Sequence, residues 1–399
     1  MRDVRIAVLG TLDSKGTEHR FVAEHIRQQG ATPILIDVGT LEAPQVHPDY
    51  SREEVLDAAG IQLTEAKDRG ERVAAMAKAA PAFLQTLVQK GKVEGVISLG
   101  GGGGTSIGTA AMRALPLGFP KVMVSTLAGG DVAPFVGISD IVMVPAIVDV
   151  AGLNSISRGV FSRAAATVVA MAREPQPKAD GKPLIAASMF GNTTDCVNLA
   201  RELLAKQNFE TLVFHATGTG GRSMEALIEA GHFAGVLDIT TTEWADELCG
   251  GVLSAGPTRL EGAGKTGTPA VVVPGCLDMV NFGPPESIPE HYKDRLFYHH
   301  NPQVTLMRTN VEECTRLGEI LAEKLNAYTG KLAVLIPEKG ISLISEQGGP
   351  FYDAEADQAL FTAIANNLNK HISCRLIPET INSEKFSSQC ACTLLELIE

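Results

Sequence analysis

Short runs of aliphatic residues alternate along this chain with longer segments of helical periodicity, and this alternation limits the possible folds more than any other feature. "RIAVLG" precedes the helical pattern of "EHRFVAEHIRQQG" and then "TPILIDVG", and the order continues through "VEGVISLG" and "KVMVSTLAGG". Such alternation is typical of βαβ units in a parallel sheet. Hydrophobic residues make up 45% of the chain but aromatic residues only 5%, which fits a core of Ala, Val, Ile and Leu. The sequence therefore predicts an α/β fold.

The length and one break in the pattern predict two domains. A chain of 399 residues exceeds one ordinary core. The alternation stops in "AREPQPKADGKP", whose prolines favour a linker near residues 175 to 182, and we place the boundary after residue 178. The predicted domains are residues 1–178, assigned to nucleotide binding, and residues 179–399, assigned to a substrate.

The two halves repeat one order of motifs. "IAVLGTLD" matches "IAASMFGNTTD", "VEGVISLGGGGG" matches "FAGVLDITTTE", and "KVMVSTLAGGD" matches "PAVVVPGCLDM". We interpret the halves as two Rossmann-like domains with mainly parallel sheets, produced by duplication and divergence. The alternative is that any two α/β domains share such matches. The first half carries an extra segment, roughly residues 41–85, which reads as added helices.

Charge and cysteine content exclude several classes of protein. A net charge of −12 without any run of Lys or Arg argues against binding to nucleic acid or an anionic membrane, although a small anionic ligand remains compatible. No apolar stretch approaches the roughly 18 residues of a membrane span, and "MRDVRIAVLG" lacks signal-peptide features. Seven scattered cysteines fit reduced thiols. We expect a cytoplasmic protein.

Five consecutive glycines in "ISLGGGGGTSIGTA" lie between a predicted strand and a predicted helix. Glycine loses more conformational freedom on folding than other residues, so the run indicates a backbone requirement. Ligands of open parallel sheets bind beyond the carboxyl ends of the strands, where glycine amides and a helix N-terminus can hold phosphate. The alternative is tight packing of the loop against a neighbouring strand. The candidate residues are Gly100, Gly101, Gly102, Gly103, Gly104, Thr105 and Ser106, with Thr105 or Ser106 as the expected N-cap.

Other loops at predicted strand ends supply further candidates for the nucleotide site. Asp37 is suited to accept hydrogen bonds from ribose hydroxyls. An ordinary turn between strand and helix is the alternative for each loop. The remaining candidates are Gly10, Thr11, Asp13 and Lys15 after the first strand and Gly129, Gly130 and Asp131 after "VMVST".

The second half contains a separate set of candidate substrate residues. In "HATGTGGRSME", Arg222 follows three glycines and is suited to clamp a carboxylate or phosphate. It either reaches into a cleft between the domains or pairs with Glu225 three residues along the helix. The candidates are Gly218, Gly220, Gly221, Arg222, Glu243 and His300.

Two further groups in the second half have open roles. His299 and His300 are adjacent in a predicted strand and should point to opposite faces, which disfavours a shared metal. Asp278 and Asp353, like Glu243, are acidic residues in loop-like settings that could act as bases or magnesium partners.

Several standard motifs are absent from the sequence. Lys15 precedes Gly16, and Arg259 stands where "GAGKT" would need its leading glycine, so neither segment is a Walker A motif. No GxGxxG follows the first strand, and no HExxH or EF-hand pattern occurs. We assign no catalytic residue and no protein-built metal site.

Taken together, the motifs resemble the UPF0261 family, the group related to the ATP-binding domain of the plant protein Tm-1. The resemblance rests on "AVLGTLDSKGTEH", "ISLGGGGGTSIGTAAM", "HATGTGGRSMEALI", "DITTTEWADELCGGVLSAGP", "PGCLDMVNFGPPESIPE", "HNPQVTLMRT" and "GGPFYDAEAD". It implies two Rossmann-like domains, a homodimer, and ATP as the ligand with or without Mg²⁺. It implies no reaction, so whether the protein is an enzyme stays open. The alternative is a metabolic enzyme acting on a small carboxylated or phosphorylated substrate between the domains.

Overall fold

The computed structural model describes residues 3–62, 68–174 and 181–399. The chain divides into two compact units, Met1–Lys178 and Ala179–Glu399. Most of the predicted linker, residues 175–180, lies outside the described part of the chain.

The first unit is built on a five-stranded parallel sheet in the order β2-β1-β3-β4-β5. Its strands are β1 (Arg5–Gly10), β2 (Thr32–Asp37), β3 (Gly95–Gly100), β4 (Lys121–Ser125) and β5 (Val142–Pro145). This order is the flavodoxin-like form of the doubly wound sheet, in which the chain reverses direction of progress between β1 and β3. Loops that follow those two strands therefore border a crevice suited to a ligand.

Helices cover both faces of the first sheet because side chains along each strand alternate between its faces. The helices are α1 (Leu12–Gln28), α2 (Arg52–Asp57), α3 (Arg69–Gln89), α4 (Gly102–Arg113), α5 (Ala133–Val136) and α6 (Ser155–Arg173). Ile6 and Val8 pack under α1 and α6, whereas Ala7 and Leu9 pack under α2, α3 and α4. Since α3 connects β2 to β3, it is the crossover helix of this βαβ unit, and α2 is the added helix.

The second unit contains a six-stranded parallel sheet in the order β14-β13-β9-β8-β6-β7 and a three-stranded antiparallel sheet in the order β10-β12-β11. The strands are β6 (Leu184–Met189), β7 (Glu210–His215), β8 (Gly235–Thr240), β9 (Ala270–Gly275), β10 (Met279–Phe282), β11 (Phe297–Asn301), β12 (Val304–Arg308), β13 (Leu332–Pro337) and β14 (Ser373–Ile377). The larger sheet carries the main core of this unit.

Helices again cover both faces of this larger sheet. They are α7 (Thr194–Lys206), α8 (Thr219–Glu229), α9 (Glu243–Cys249), α10 (Gly262–Thr266), α11 (Val311–Asn326), α12 (Ala354–Asn367) and α13 (Glu384–Ile398). Helices α7 and α13 pack on Ile185 and Leu237 on one face, while α8, α11 and α12 pack on Val236 and Val272 on the other. The fold is therefore α/β in both units, as predicted.

The two parallel sheets share one strand order. Read from the edge, β7-β6-β8-β9-β13 repeats β2-β1-β3-β4-β5, and β14 is added at the far edge of the second sheet. The motif pairs matched in the sequence belong to corresponding strands: β1 with β6, β3 with β8, and β4 with β9. All seven cysteines are free thiols. Among the described residues, no helix has both the length and the apolarity to cross a membrane.

Candidate functional site

The glycine run forms the exposed start of helix α4. Gly101 is the N-cap residue, with φ −83° and ψ −157°, and no side chain caps the helix. The first four amides of a helix lack partners within it. Among the described residues, the amides of Gly102, Gly103 and Gly104 make no hydrogen bond to a side chain or to another segment. Backbone donors and the positive end of the helix dipole are thus available to an anion.

The space beside each glycine of this run shows where close packing requires a residue without a side chain. The measure is the distance from the position that a Cβ atom would occupy to the nearest other atoms. At Gly100, a Cβ atom would lie 2.7 Å from the Cα of Gly104, so close packing requires this glycine. At Gly102, no atom lies within 4 Å of that position, and at Gly103 the nearest is Cγ2 of Val73 at 3.5 Å. Neither Gly102 nor Gly103 has a positive φ. The fold therefore does not require glycine at residues 102 and 103, whereas a ligand that must approach the backbone would.

These glycines border a cavity of about 380 Å³. The loop after β1 and the loop after β2 form its other walls, as the strand order predicts for neighbouring parallel strands. Its lining residues are Thr11, Asp13, Ser14, Lys15, Thr40, Leu41, Glu42, Arg69, Val73, Gly101, Gly102, Gly103, Gly104 and Asp149.

The charged residues of this cavity differ in how they are held. The half-buried ammonium of Lys15 donates to the carbonyl oxygen of Val150, which fixes it at the cavity wall. One carboxylate oxygen of Asp13 accepts the amides of Thr40 and Leu41, both at 2.9 Å, and ties the loop after β2 to α1. A lysine still has donors to spare after one hydrogen bond, so Lys15 can also bind an anion.

A second cavity of about 450 Å³ adjoins the first, since Asp149 lines both. Its lining residues are Thr126, Gly129, Pro145, Ala146, Ile147, Val148 and Asp149, which belong to the loops after β4 and β5. The two cavities together follow the carboxyl ends of all five strands of this sheet.

In the second unit, a glycine turn that follows β7 is filled by the protein itself. Oε1 of Glu243 accepts the amides of Gly218 at 2.7 Å and Gly221 at 3.1 Å, at the N-terminus of α8. A Cβ on Gly221 would lie 2.2 Å from Oε2 of Glu243, and one on Gly220 would lie 1.8 Å from the carbonyl oxygen of His215. Packing against the protein's own groups explains these glycines.

Glu243 belongs to a buried ionic cluster centred on Arg259, whose side chain is 1% exposed. The guanidinium binds Asp238 through two hydrogen bonds of 2.6 and 2.7 Å, Glu243 at 2.6 Å and Glu225 at 3.0 Å. Burial alone would lower the pKa of Arg259, but the three carboxylates raise it well above its usual value. Burial raises the pKa of Glu225. The cluster joins α8, β8 and α9 and holds Glu243 on the amides of Gly218 and Gly221, so these two donors are not free for a ligand.

A third cavity, of about 390 Å³, lies at the carboxyl ends of β13 and β14. Its wall includes the buried Asp357, which binds Arg308 at 2.5 Å and whose pKa burial raises to about 7. The two acidic residues that the sequence suggested nearby have structural contacts: Asp278 accepts the hydroxyl of Ser342 at 2.8 Å, and Asp353 caps α12 by accepting the amide of Ala356. Asp278 is fully buried, whereas Asp353 is half-buried and uses one carboxylate oxygen in the cap.

Sequence comparison identifies the family. The model of the UPF0261 N-terminal domain matches residues 4–177, and that of the C-terminal domain matches residues 182–398; both describe an uncharacterised protein family. The chain belongs to the UPF0261 family. It is 47% identical to a UPF0261 protein of Clostridium tetani over 99% of both chains. It is 37% identical to the ToMV resistance protein Tm-1 of Solanum lycopersicum, over 98% of this chain and 56% of Tm-1.

Two solved structures show a distant likeness to this UPF0261 protein. A UDP-N-acetylglucosamine 2-epimerase from Rickettsia bellii is 13% identical, covering 68% of this chain and 79% of the other, with a TM-score of 0.24. MurG from Acinetobacter baumannii is 13% identical, covering 99% of this chain and 98% of the other, with a TM-score of 0.24. Likeness at this level carries no inference about function.

The structure brings together about half of the nucleotide-site residues predicted for this UPF0261 protein. Thr11, Asp13, Lys15, Gly101, Gly102, Gly103 and Gly104 line the first cavity, and Gly129 lines the second. Gly100 lies beneath them. Gly130 and Asp131 belong to an exposed turn that lines neither cavity, where Asp131 accepts the amide of Ala133.

Four predicted residues of this site have structural roles instead. Thr105 is not the N-cap, since α4 begins at Gly102; its buried hydroxyl bonds Ser125 at 2.7 Å. Ser106 donates to the carbonyl oxygen of Gly102. A Cβ on Gly10 would lie 2.1 Å from the ring of His19, so packing requires Gly10.

Asp37 is the fourth of these structural residues. Its buried carboxylate accepts the amides of Leu12 and Gly39 and binds Arg52 at 3.0 Å. Burial raises the pKa of Asp37, and the Gly39 amide and Arg52 oppose that rise. Because Asp37 is already paired inside the protein, it is not the free acceptor that the ribose prediction required.

The second-unit predictions also change. Arg222 is exposed and donates to the carbonyl oxygen of Ser254 at 3.0 Å and to Thr219; Glu225 pairs with Arg259 rather than with Arg222. His299 and His300 are both exposed in β11, beside a register shift in that strand. The sequence therefore located a real anion-binding turn at residues 218–221 but missed that Glu243 occupies it.

Sequence reasoning missed several cavity residues, chiefly Glu42, Arg69 and Asp149. Residues 40–42 follow β2, which neighbours β1, so the strand order would have indicated them. Asp149 lies four residues after β5, in a segment whose apolar sequence, "PAIVDV", hid its position at a strand end.

Proposed function

We propose that the first unit binds a nucleotide, ATP together with Mg²⁺, with its phosphates on the amides of Gly102, Gly103 and Gly104. The observation that carries this proposal is the open space at Gly102: a side chain would fit the fold there and would fill the cavity above an uncapped helix. The presence of glycine at residue 102 is explained if phosphate oxygens of the ligand occupy that space.

The charge of the cavity favours a phosphate that arrives with a divalent cation. Asp13, Glu42 and Asp149 carry three negative charges, against two positive charges on Lys15 and Arg69. In the described part of the chain, no group of three or more His, Cys, Asp or Glu side chains could hold a metal by itself. Mg²⁺ is commonly held by one or two carboxylates together with substrate phosphates. Such a shared site fits Asp13 and Glu42, which line the first cavity and not the second.

Isothermal titration with Mg²⁺ and ATP tests the proposal, and Gly102→Asp is the decisive variant. The aspartate should reduce ATP affinity at least about tenfold, since its carboxylate would lie against phosphate. An acidic residue in the first turn of a helix is favourable, so the melting temperature should be unchanged or slightly higher. Loss of binding would then not reflect unfolding.

Gly191→Asp is the matched control, since a Cβ at Gly191 also has no atom within 4 Å and its φ is not positive. This variant should bind ATP like the unchanged protein. Absence of heat at millimolar ATP, or unchanged affinity in Gly102→Asp, would contradict the proposal. The homodimer and the cytoplasmic location stay predictions, and light scattering would check the first of them.

A further inference from the structure

The second cavity adjoins the proposed phosphate site through a single carboxylate. Asp149 lines the cavity bordered by Gly102 and also the cavity lined by Thr126, Pro145, Ile147 and Val148. A ligand with its phosphates on the α4 amides could therefore extend past Asp149 and contact the residues that line both cavities. Ligand sites of this size are common, and they typically combine an apolar wall with a few polar groups.

Asp149 is available to a ligand. Its side chain is exposed, and among the described residues it makes no hydrogen bond or ion pair. Asp37 is by contrast fully engaged by Leu12, Gly39 and Arg52. Asp149 can therefore supply the acceptor for sugar hydroxyls that Asp37 does not.

The far wall of the second cavity is aliphatic and unusually exposed. Ile147 is 75% exposed and has a φ of 66°, a region that β-branched residues rarely adopt. Pro145, Ile147 and Val148 present apolar atoms beside Gly129, which has no side chain to fill the space. Because Ile147 is exposed, packing in a core does not explain its position. Contact with the flat face of a ligand ring would explain it.

We infer that the ligand is a nucleoside phosphate that spans both cavities, with its sugar hydroxyls on Asp149 and its base against Ile147 and Val148. This inference rests on the proposed phosphate site and adds the place of the nucleoside. It distinguishes a nucleotide from a phosphorylated sugar or acid, which would leave the second cavity empty.

The test compares Mg²⁺-ATP with Mg²⁺-tripolyphosphate by titration calorimetry. The unchanged protein should bind ATP at least about tenfold more tightly than tripolyphosphate. Asp149→Ala should weaken ATP about tenfold to a hundredfold, the usual effect of a charge-assisted hydrogen bond, while tripolyphosphate affinity stays or rises. The same variant should not weaken 2′,3′-dideoxy-ATP, which lacks the hydroxyls.

Ile147→Gly gives a second test, in which a loss of ATP affinity at an unchanged melting temperature cannot be attributed to misfolding. Glycine adopts a positive φ readily, so this variant should melt at the same or a higher temperature. Its ATP affinity should fall about threefold to tenfold through loss of apolar contact, with tripolyphosphate affinity unchanged. Asp57→Ala, which removes an exposed carboxylate of α2 away from both cavities, should change neither ligand.

The outcomes separate this inference from the proposed function. If ATP and tripolyphosphate bind equally, or if Asp149→Ala weakens both to the same extent, the nucleoside placement is wrong while the phosphate site stands. If neither ligand binds, both are wrong. Selective loss of ATP in Asp149→Ala and in Ile147→Gly supports the placement.

Discussion

The turns after β3 and β8 occupy corresponding places in two sheets of the same strand order, yet one borders a cavity and the other is filled. After β3, residues 100–104 are glycines, and the space beyond residue 102 is open. After β8, the side chains of Thr241, Thr242 and Glu243 are buried, with Glu243 1% exposed. The fold fixes where a ligand site can form, and the side chains of the turn decide whether one forms.

The two units also differ in the source of the anion at a helix N-terminus. In the second unit, the amides of Gly218 and Gly221 bind Glu243, whose other oxygen binds Arg259. In the first unit, no side chain of the described residues caps α4. The second unit thus holds an internal carboxylate at the N-terminus of α8, whereas the first, in our proposal, holds a ligand at the N-terminus of α4.

Removing the carboxylate from the turn at residues 218–221, which follows β7, should have the largest effect. Glu243→Ala leaves two buried amides and the Nε of Arg259 without an acceptor, so we expect a loss of about 3–5 kcal/mol in the free energy of unfolding. Calorimetric unfolding measures it. If the turn is an anion site filled from within, acetate or formate should bind the vacated space and raise the melting temperature of the variant.

The control is the same titration of acetate into the unchanged protein, where Glu243 blocks the turn and no such rise should occur. Equal responses of both proteins to acetate, at matched ionic strength, would show that the amides do not bind a carboxylate. The comparison between the two turns would then be wrong.

Most of the fold was predictable because it depends on patterns that repeat along the chain. Strands such as "RIAVLG" and "VEGVISLG" are buried on both faces, so their apolar runs are uninterrupted, and each parallel strand needs a crossover helix. The start of α4 was less predictable: Thr105 has the chemistry of an N-cap, but its hydroxyl is needed in the core beside Ser125. The tertiary contact with Ser125 therefore outweighs the local preference of Thr105 for the N-cap position.

The candidate site was predictable only where neighbouring strands place their loops together. The residues after β1 and β3 were identified because parallel strands end at one edge of the sheet. Whether a carboxylate is free depends on partners distant in sequence: Arg52 for Asp37, and Arg259 for Glu243. Sequence pattern carries no signal for such pairs, so it could not distinguish Asp149 from Asp37.

A pair of alanine substitutions sharpens the comparison. Gly221→Ala places a Cβ about 2.2 Å from Glu243, so the cluster must shift, and we expect a loss of about 2–3 kcal/mol in stability. Gly102→Ala meets no atom within 4 Å and should change stability by less than about 1 kcal/mol, toward higher stability because alanine favours helix. Thermal unfolding of the two variants measures the difference.

Similar losses in both variants would mean that residue 102 is held by contacts as residue 221 is, and the argument that its glycine serves a ligand would fail. Titration of Gly102→Ala with ATP adds an independent measure. A methyl group carries no charge, so its effect on ATP affinity should be smaller than that of Gly102→Asp.

The smallest expected effect concerns Asp246, which shares helix α9 with Glu243 but has no cation. Its buried carboxylate accepts the amides of Leu253 and Asn281 and the Nδ2 of Asn281, and burial raises its pKa from 3.8 to about 7. Between about pH 4 and pH 7, the folded state holds a proton that the unfolded state has lost, so stability from this group falls as the pH rises and is constant above about pH 7.

Asp246→Asn imitates the protonated acid and should remove that dependence. Oδ1 of Asn281 has no partner among the described residues, so a rotated Asn281 amide can accept from the new asparagine. Urea unfolding should find the variant more stable than the unchanged protein by about 1–2 kcal/mol at pH 8 and nearly equal to it at pH 5. Asp57→Asn, an exposed carboxylate, should show no such difference. If Asp246→Asn were equally destabilised at both pH values, its carboxylate would be ionised and stabilising in the fold, and Asp246 would resemble Glu243 despite lacking an arginine.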